Sequence, residues 1–269
     1  MGDRLKQIKI YFIKFMRLFV KTGGWKAFIF GGIISLLIVV VVGDKMFVYG
    51  LDTSSGCFAI VSACIWIGIF NSIQVICKER DIIKREHRSG MHITSYILAR
   101  AFYEFIICFV QAMIMLVICY AFFEFPKNGL ITGNVLTDVF ITFFIVLLSA
   151  DYLGIAVSSI VKSTTTAMTV MPFLLIVQLV LSGVLFELKG NLALIAKVTL
   201  SKWGMEALGS ISDMDSLPYN EIGWEIVPRD VYAFESGHVI AAWGIIIGFA
   251  LLYLIAAVIS LSFVDKDKR

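Results

Sequence analysis

The chain has 269 residues, 59% of them hydrophobic and 16% charged, with a formal net charge of +3 at pH 7. Soluble domains run at roughly 45–50% and about 25%, so a water-soluble fold has nowhere to put this much apolar surface. The surplus charge needs no nucleic acid to explain it, since a positive-inside asymmetry accounts for it.

From the N-terminus, residues 3–22 are patterned but too charged to span a bilayer. Leu5, Ile8, Phe12, Phe15 and Phe19 recur at three- and four-residue spacing, while Lys6, Lys9, Lys14, Arg17 and Lys21 occupy other faces. Such a helix lies in the headgroup plane; the plainer reading is a basic tail that only anchors topology. Gly23-Gly24 then offers a bend. Residues 1–25 are therefore read as an interfacial amphipathic helix and 26–269 as the membrane domain.

A hydrocarbon core about 30 Å thick needs roughly 20 apolar residues in a spanning helix. The runs that qualify are Ala27–Gly43, Thr53–Cys77, Phe105–Phe123, Val139–Val161, Ser163–Phe186 and Val239–Val264, all free of charge except for Asp151. With their flanks they predict an all-α polytopic membrane protein with six transmembrane helices, at 27–47, 53–77, 96–123, 136–161, 163–186 and 238–264. The first run is too long for the h-region of a cleavable signal and is expected to stay as a span. With the N-terminus inside, 17 of the 23 Lys and Arg fall on the cytoplasmic side, Lys266, Lys268 and Arg269 among them. Both termini are thus predicted to be cytoplasmic, in a bacterial cell membrane. All five cysteines (Cys57, Cys64, Cys77, Cys108, Cys119) lie within spans, where disulfide stapling is not expected.

Two connections are long. Residues 78–94 mix both charge signs around Ile82 and Ile83, which suits a short helix docking on another protein; a solvated connector has the same pattern. Residues 187–237 are predicted to lie outside. Their first half, from Leu188 to Leu208, is apolar but broken by Lys189, Lys197, Lys202 and Glu206, so it re-enters or lies at the interface. Their second half, with Asp213, Asp215, Glu221, Glu225, Pro228, Asp230 and Glu235, is an acidic cap.

Chemistry is scarce. No Gly-Lys dipeptide occurs, so the phosphate cradle of a nucleotide-hydrolysing site is absent. His87 and His92 are five residues apart, off a common helix face, and no Cys pair or His-Glu-x-x-His order accompanies them; no metal site and no catalytic residue are expected. Glu104 lies one turn from Arg100, which predicts a snorkelling i,i+4 pair. Asp151 lies about 16 Å along the helix from Lys162 at 1.5 Å per residue, near mid-membrane. It is read as hydrogen-bonded to groups such as Gln111 or Ser149, with proton coupling as the other reading.

Two stretches carry a family resemblance. Glu79-Arg80, Arg85-Glu86-His87-Arg88-Ser89-Gly90-Met91, Ser95-Tyr96-Ile97-Leu98-Ala99-Arg100 and Glu104 resemble the segment between the second and third spans of ABC transporter subfamily G. Leu181-Ser182-Gly183-Val184-Leu185-Phe186, followed by Thr199-Leu200-Ser201-Lys202-Trp203-Gly204-Met205-Glu206-Ala207-Leu208, is similar to that family's F-S-G-L-L and S-P-x-R-Y-G-F-E-A-L stretches. The resemblance implies an exporter of the subfamily G (type V) kind, a half-transporter that pairs with a second permease copy. It implies coupling to an ABC ATPase through residues 79–91, with Glu79, Arg80, Arg85 and Glu86 at the contact. It implies a substrate path on Cys64, Ile67, Phe70, Asn71, Pro172, Leu175, Ile176 and Leu179, and a gate at Val184 and Leu185. Ile67 stands where multidrug members have a stacking aromatic. The subfamily's own nucleotide-binding domain is not in this sequence, so the ATPase, with its ATP and Mg, is expected on a separate chain, with no cofactor on this one. The competing reading is a non-ABC helical bundle, a channel or a membrane anchor for a cytoplasmic complex.

Overall fold

A computed structural model describes residues 2–43, 45–126, 129–186, 190–219 and 229–264. The regular structure there is helical: α1 (Gly2–Thr22), α2 (Lys26–Val42), α3 (Gly50–Ser72), α4 (Val75–Arg88), α5 (Ile93–Phe122), α6 (Val135–Ile160), α7 (Thr164–Val180), α8 (Asn191–Ala196), α9 (Leu200–Ile211) and α10 (Ser236–Ser262), with short 3-10 turns at Met214–Ser216 and Asp230–Tyr232.

The Gly23-Gly24 bend is real. The axes of α1 and α2 turn through 71° there, Gly23 sits at φ +72°, and a Cβ on Gly24 would fall 2.3 Å from the Phe19 ring. Only residues without a side chain close this elbow unstrained.

Among the described residues, four helices are long and apolar enough to cross a membrane, the first being α3 running on into α4 and the others α5, α6 and α10; counting the bent α1–α2 pair as one span gives five. Six were expected. The difference lies in α7, a helix of 17 residues that stops at Val180 rather than continuing to 186. Leu181-Ser182 turn the chain and Gly183 adopts φ +83°. The first span likewise ends at Val42, before Gly43 at φ +75°. Glu221, Glu225 and Pro228 of the acidic cap, Lys189 of the outer stretch, and the basic Lys266, Lys268 and Arg269 fall outside the described residues.

The bundle is organised around a seam between α3 and α6, flanked by α10 on the far side of α6. Small residues let the backbones meet: a Cβ on Gly68 would fall 2.4 Å from the Leu147 carbonyl oxygen, and one on Gly154 would fall 2.1 Å from Ser72 Oγ. Ser72 Oγ donates to the Asp151 carbonyl at 2.6 Å. The seam continues into α9, which is buried among the other helices. Leu200, Met205, Ala207, Leu208 and Ile211 are all buried against α3, α6 and α10, and Ser201 N donates to Gln178 Oε1 of α7 at 3.1 Å. By contrast the outward faces of α2 and α10 present Val40, Val41, Leu251, Leu252 and Ile255, the side-chain chemistry that suits contact with lipid.

Loop ends are capped locally. Asn134 Oδ1 accepts from Leu136 N at 2.9 Å at the start of α6, and Ser163 Oγ accepts from Thr166 N at 3.1 Å at the start of α7, which satisfies first-turn donors. Buried Asp138 accepts from Ile131 N, Thr132 N and Thr132 Oγ1 at 2.8–3.1 Å, tying the preceding loop to α6.

Candidate functional site

Residues 75–88 form one amphipathic helix, α4, as the mixed-charge pattern predicts, starting three residues earlier than residue 78. Ile76 and Ile83 are buried beneath it. Its charged residues do not form one cluster; they divide among three neighbours. Glu79 accepts from Tyr96 Oη of α5 at 3.0 Å. Arg80 donates to the carbonyls of Ser159 and Val161 at 2.8 and 3.2 Å, satisfying the end of α6 where helix carbonyls lack partners and a cation is favourable. Ser158 Oγ accepts from Ile76 N and Cys77 N at 3.0 and 3.2 Å, so α4 and the end of α6 are bound from both directions.

Glu86 turns to the N-terminal helix. It accepts from Tyr11 Oη at 2.9 Å and pairs with Lys14 Nζ at 3.4 Å, both charged side chains being 34% exposed. Gln7 extends the same seam, donating to the Gly90 carbonyl at 3.2 Å and accepting from His92 N at 3.0 Å. Burial first, then the hydrogen bond and charge of Glu86, push the Tyr11 phenol well above its ordinary value. Below α4, Phe15 is buried against Tyr96 and Tyr103 in tilted and edge-on ring contacts. The platform is thus a two-helix surface, α1 against α4. Tyr11 and Gln7 escaped the sequence reading because their partners lie more than 70 residues away; the available signal was a polar edge on α1 between its apolar and basic faces.

A second concentration of polar groups lies under the α1–α2 elbow. Arg100 and Glu104 pair at 2.5 Å as expected, but inside the structure rather than snorkelling, with the guanidinium 5.0 Å from the Phe15 ring centre and 4.7 Å from that of Tyr103. Two helix turns further along α5, Asn71 and Gln111 exchange hydrogen bonds at 2.7 and 3.2 Å, and Gln111 Nε2 also reaches the Ala27 carbonyl at 3.3 Å. Gln111 is therefore engaged with α2 and α3, and Ser149 Oγ donates to the Ile246 carbonyl at 3.2 Å. The two partners expected for Asp151 are committed elsewhere. Asp151 is fully buried, and among the described residues neither carboxylate oxygen has a hydrogen-bond partner.

The eight residues assigned to a substrate path fall into three groups. Cys64, Ile67 and Leu175 are buried within the chain, Cys64 in a sulfur contact of 3.5 Å with Met115. Phe70 and Asn71 line a cavity of about 760 Å³ between α2, α3 and α5 that Ile67 also touches. Pro172 and Ile176 are exposed on α7, with Leu179 partly buried beside them. Of the gate pair, Leu185 is exposed and Val184 packs against the core. All five cysteines are buried free thiols.

The long apolar helices mark a polytopic membrane protein, with an amphipathic N-terminal helix docked on a charged connecting helix. The sequence matches the ABC-2 type transporter family over residues 7–211. The chain belongs to that family and is an ABC transporter permease domain, a transport component and not catalytic by itself. A similar protein is an ABC transporter ATP-binding/permease protein of Mycobacterium tuberculosis, 26% identical over 182 residues. The match covers 66% of this chain and 20% of that protein, so the chain spans about a fifth of the relative's length.

Proposed function

We propose that this chain is the membrane-spanning permease of an ATP-driven exporter of the subfamily G kind, working as a dimer that moves a hydrophobic or amphipathic substrate. The observation that carries the reading is the family match over residues 7–211, which runs from α1 through α9 and so includes the α1–α4 platform. In this reading α2, α3, α5, α6, α7 and α10 are six spans, α1 lies on the cytoplasmic membrane surface, and both termini are cytoplasmic in a bacterial membrane. Residues 78–94 are the coupling segment and 187–237 the outer region.

The exposed side of α4 receives an ABC ATPase, which brings ATP and Mg; this chain holds no cofactor. Glu79, Arg80, Arg85 and Glu86 pass on the ATPase's motion. Arg80 does so through the end of α6 and Glu86 through α1. The similar mycobacterial protein combines ATP-binding and permease functions by its name, which supports an ATPase as the partner whether it is a separate chain or a linked one. Between two copies, Pro172, Ile176 and Leu179 face the path, Cys64, Ile67, Asn71 and Leu175 support its walls from behind, and Phe70 stands at the lateral cavity beside it. Val184 and Leu185 close it, since an apolar constriction excludes water by dewetting.

Reconstitution tests this. The chain in liposomes with a matching ABC ATPase should carry substrate only with ATP, and a cysteine at position 185 should crosslink to its counterpart in the resting dimer. ATP hydrolysis or flux by the chain alone, or failure to retain any ATPase on purification, overturns the permease reading in favour of a channel or an anchor. Absence of the 185 crosslink overturns the gate.

A further inference from the structure

The cavity beneath the α1–α2 elbow is walled by apolar side chains, with Phe30, Ile34, Trp66, Phe70 and Ile107 along its length. Its volume, about 760 Å³, falls in the roughly 300–1,000 Å³ range of sites that take a drug-sized ligand. Polar groups are few and placed at one side: the Asn71–Gln111 amide pair and the Arg100–Glu104 ion pair, all lining the space. Arg100 and Glu104 neutralise each other. The remaining charge at the rim is Lys26, exposed at the first turn of α2, whose side chain makes no ion pair among the described residues.

Three features of this cavity converge on one occupant. Phe30, Trp66 and Phe70 line it yet are 62%, 41% and 54% exposed, so its mouth opens sideways toward the lipid rather than into the bundle. The elbow sets the depth: α1 is the amphipathic helix that rests at the membrane surface, and Lys26 begins α2 just beyond the bend. Apolar walls below a lone cation at headgroup level match a molecule with a negative head and a hydrocarbon tail.

We propose that this elbow cavity is a binding site for an anionic phospholipid of the adjacent leaflet, with its phosphate at Lys26 and one acyl chain laid between α2, α3 and α5. The glycerol region meets the Asn71–Gln111 pair, whose amides retain unused acceptor lone pairs. The site needs the elbow at a membrane surface, but neither transport nor an ATPase, so it stands or falls separately from the exporter reading. Of the residues assigned to the path, Ile67, Phe70 and Asn71 line the cavity, whereas Pro172, Ile176 and Leu179 do not.

The test uses the full chain in nanodiscs of phosphatidylcholine doped with phosphatidylglycerol or phosphatidylcholine carrying a diazirine on one acyl chain, with crosslinks mapped by mass spectrometry. Phosphatidylglycerol should label peptides containing Phe30, Ile34, Phe70 and Ile107 more strongly than phosphatidylcholine does. Lys26→Gln should lower that labelling about fivefold, the equivalent of the roughly 1 kcal/mol by which one basic residue attracts an anionic lipid surface. Lys26→Arg should restore it, and Lys21→Glu, on the exposed face of α1 away from the cavity, should leave it near wild type. Equal labelling by the two lipids, indifference to Lys26→Gln, or an equal response to Lys21→Glu overturns anionic recognition. Absence of label from the cavity, as when a second copy covers its mouth, overturns the site itself.

Discussion

Replacing Glu86 with Ala should loosen the N-terminal helix without unfolding the bundle. The carboxylate makes two contacts across the α1–α4 seam, one from Tyr11 Oη at 2.9 Å and one from Lys14 Nζ at 3.4 Å. A hydrogen bond to a charged group contributes about 1.5–3 kcal/mol, and with both partners partly open to water the lower end applies. The Lys14 pair, a third exposed, adds a few tenths of a kcal/mol at most, in the range of about 0.2–1 kcal/mol for surface pairs. Together they come to about 2 kcal/mol, which at about 1.4 kcal/mol per decade is roughly a 30-fold rise in the local opening constant of α1. Full release is not expected, because Phe15 stays buried against Tyr96 and Tyr103 and beneath Arg100. Amide hydrogen exchange in nanodiscs reads the effect directly: the amides of residues 5–16 should exchange faster, while those of α5 and α6 stay unchanged. Exchange in α1 within about twofold of wild type would refute the assignment of Glu86 as the tie, since a loss of even 0.5 kcal/mol exceeds that.

Three further outcomes follow from the same geometry. Gly68→Val should lower the thermal midpoint in detergent by several degrees, since overpacking costs about 1–3 kcal/mol and the new Cβ would sit 2.4 and 2.8 Å from the backbone of Leu147 and Asp151; Gly32→Ala, whose Cβ meets only Ile114 and Ile118 at 3.7 and 4.0 Å, should not. Asn71→Leu alone strands the buried Gln111 amide at about 1–3 kcal/mol, and Gln111→Leu strands the half-buried Asn71 amide at the lower end of that range, so the double variant should cost clearly less than the sum in a double-mutant cycle; simple additivity refutes the pairing. Because the Tyr11 phenol is raised above its ordinary value when docked on Glu86, docking should be unaffected by pH below the free phenol value near 10 and weaken as pH rises above it. Faster exchange of α1 between pH 7 and 9 that Tyr11→Phe abolishes would contradict that sign.

What the sequence disclosed was whatever depends on near neighbours. The amphipathic pattern of α1, the Gly23-Gly24 elbow, the helix over α4 and the Arg100–Glu104 pair each rest on residues within one or two turns of each other, where spacing determines who meets whom. The Glu86–Tyr11 tie, the Asn71–Gln111 exchange and the strap from Arg80 to Ser159 join residues 40–79 positions apart. No period encodes them; they follow from which helices the bundle brings together. The path residues show the same limit. Cys64, Ile67 and Asn71 lie three and four positions apart and share a helical face, yet that face turns inward toward α5 rather than out toward α7. The end of α7 was missed for a different reason: Leu181 to Phe186 are apolar enough to extend a span, and only the left-handed backbone of Gly183 marks the stop.

The rigid and the adjustable parts of the molecule are distinguishable by the kind of contact that holds them. Along the α3–α6 seam backbone touches backbone at Gly68 and Gly154, and no side chain can rotate to admit sliding there. At its platform end α6 is fastened to α4 by Arg80 on two carbonyls and by Ser158 on two amides. A displacement of α4 is therefore delivered to α6 and α3 together, as to one body. The α1 connection is made instead of half-exposed side-chain hydrogen bonds above a cushion of rings, and α7 meets the rest through one narrow face, Ala167, Met171, Leu175 and Gln178. Motion imposed at the platform has its least resistance at these two joints: at the elbow, where the lateral cavity lies, and at α7, whose exposed face carries Pro172 and Ile176. The two places where the fold is most easily opened are thus the elbow, with its lateral cavity, and α7.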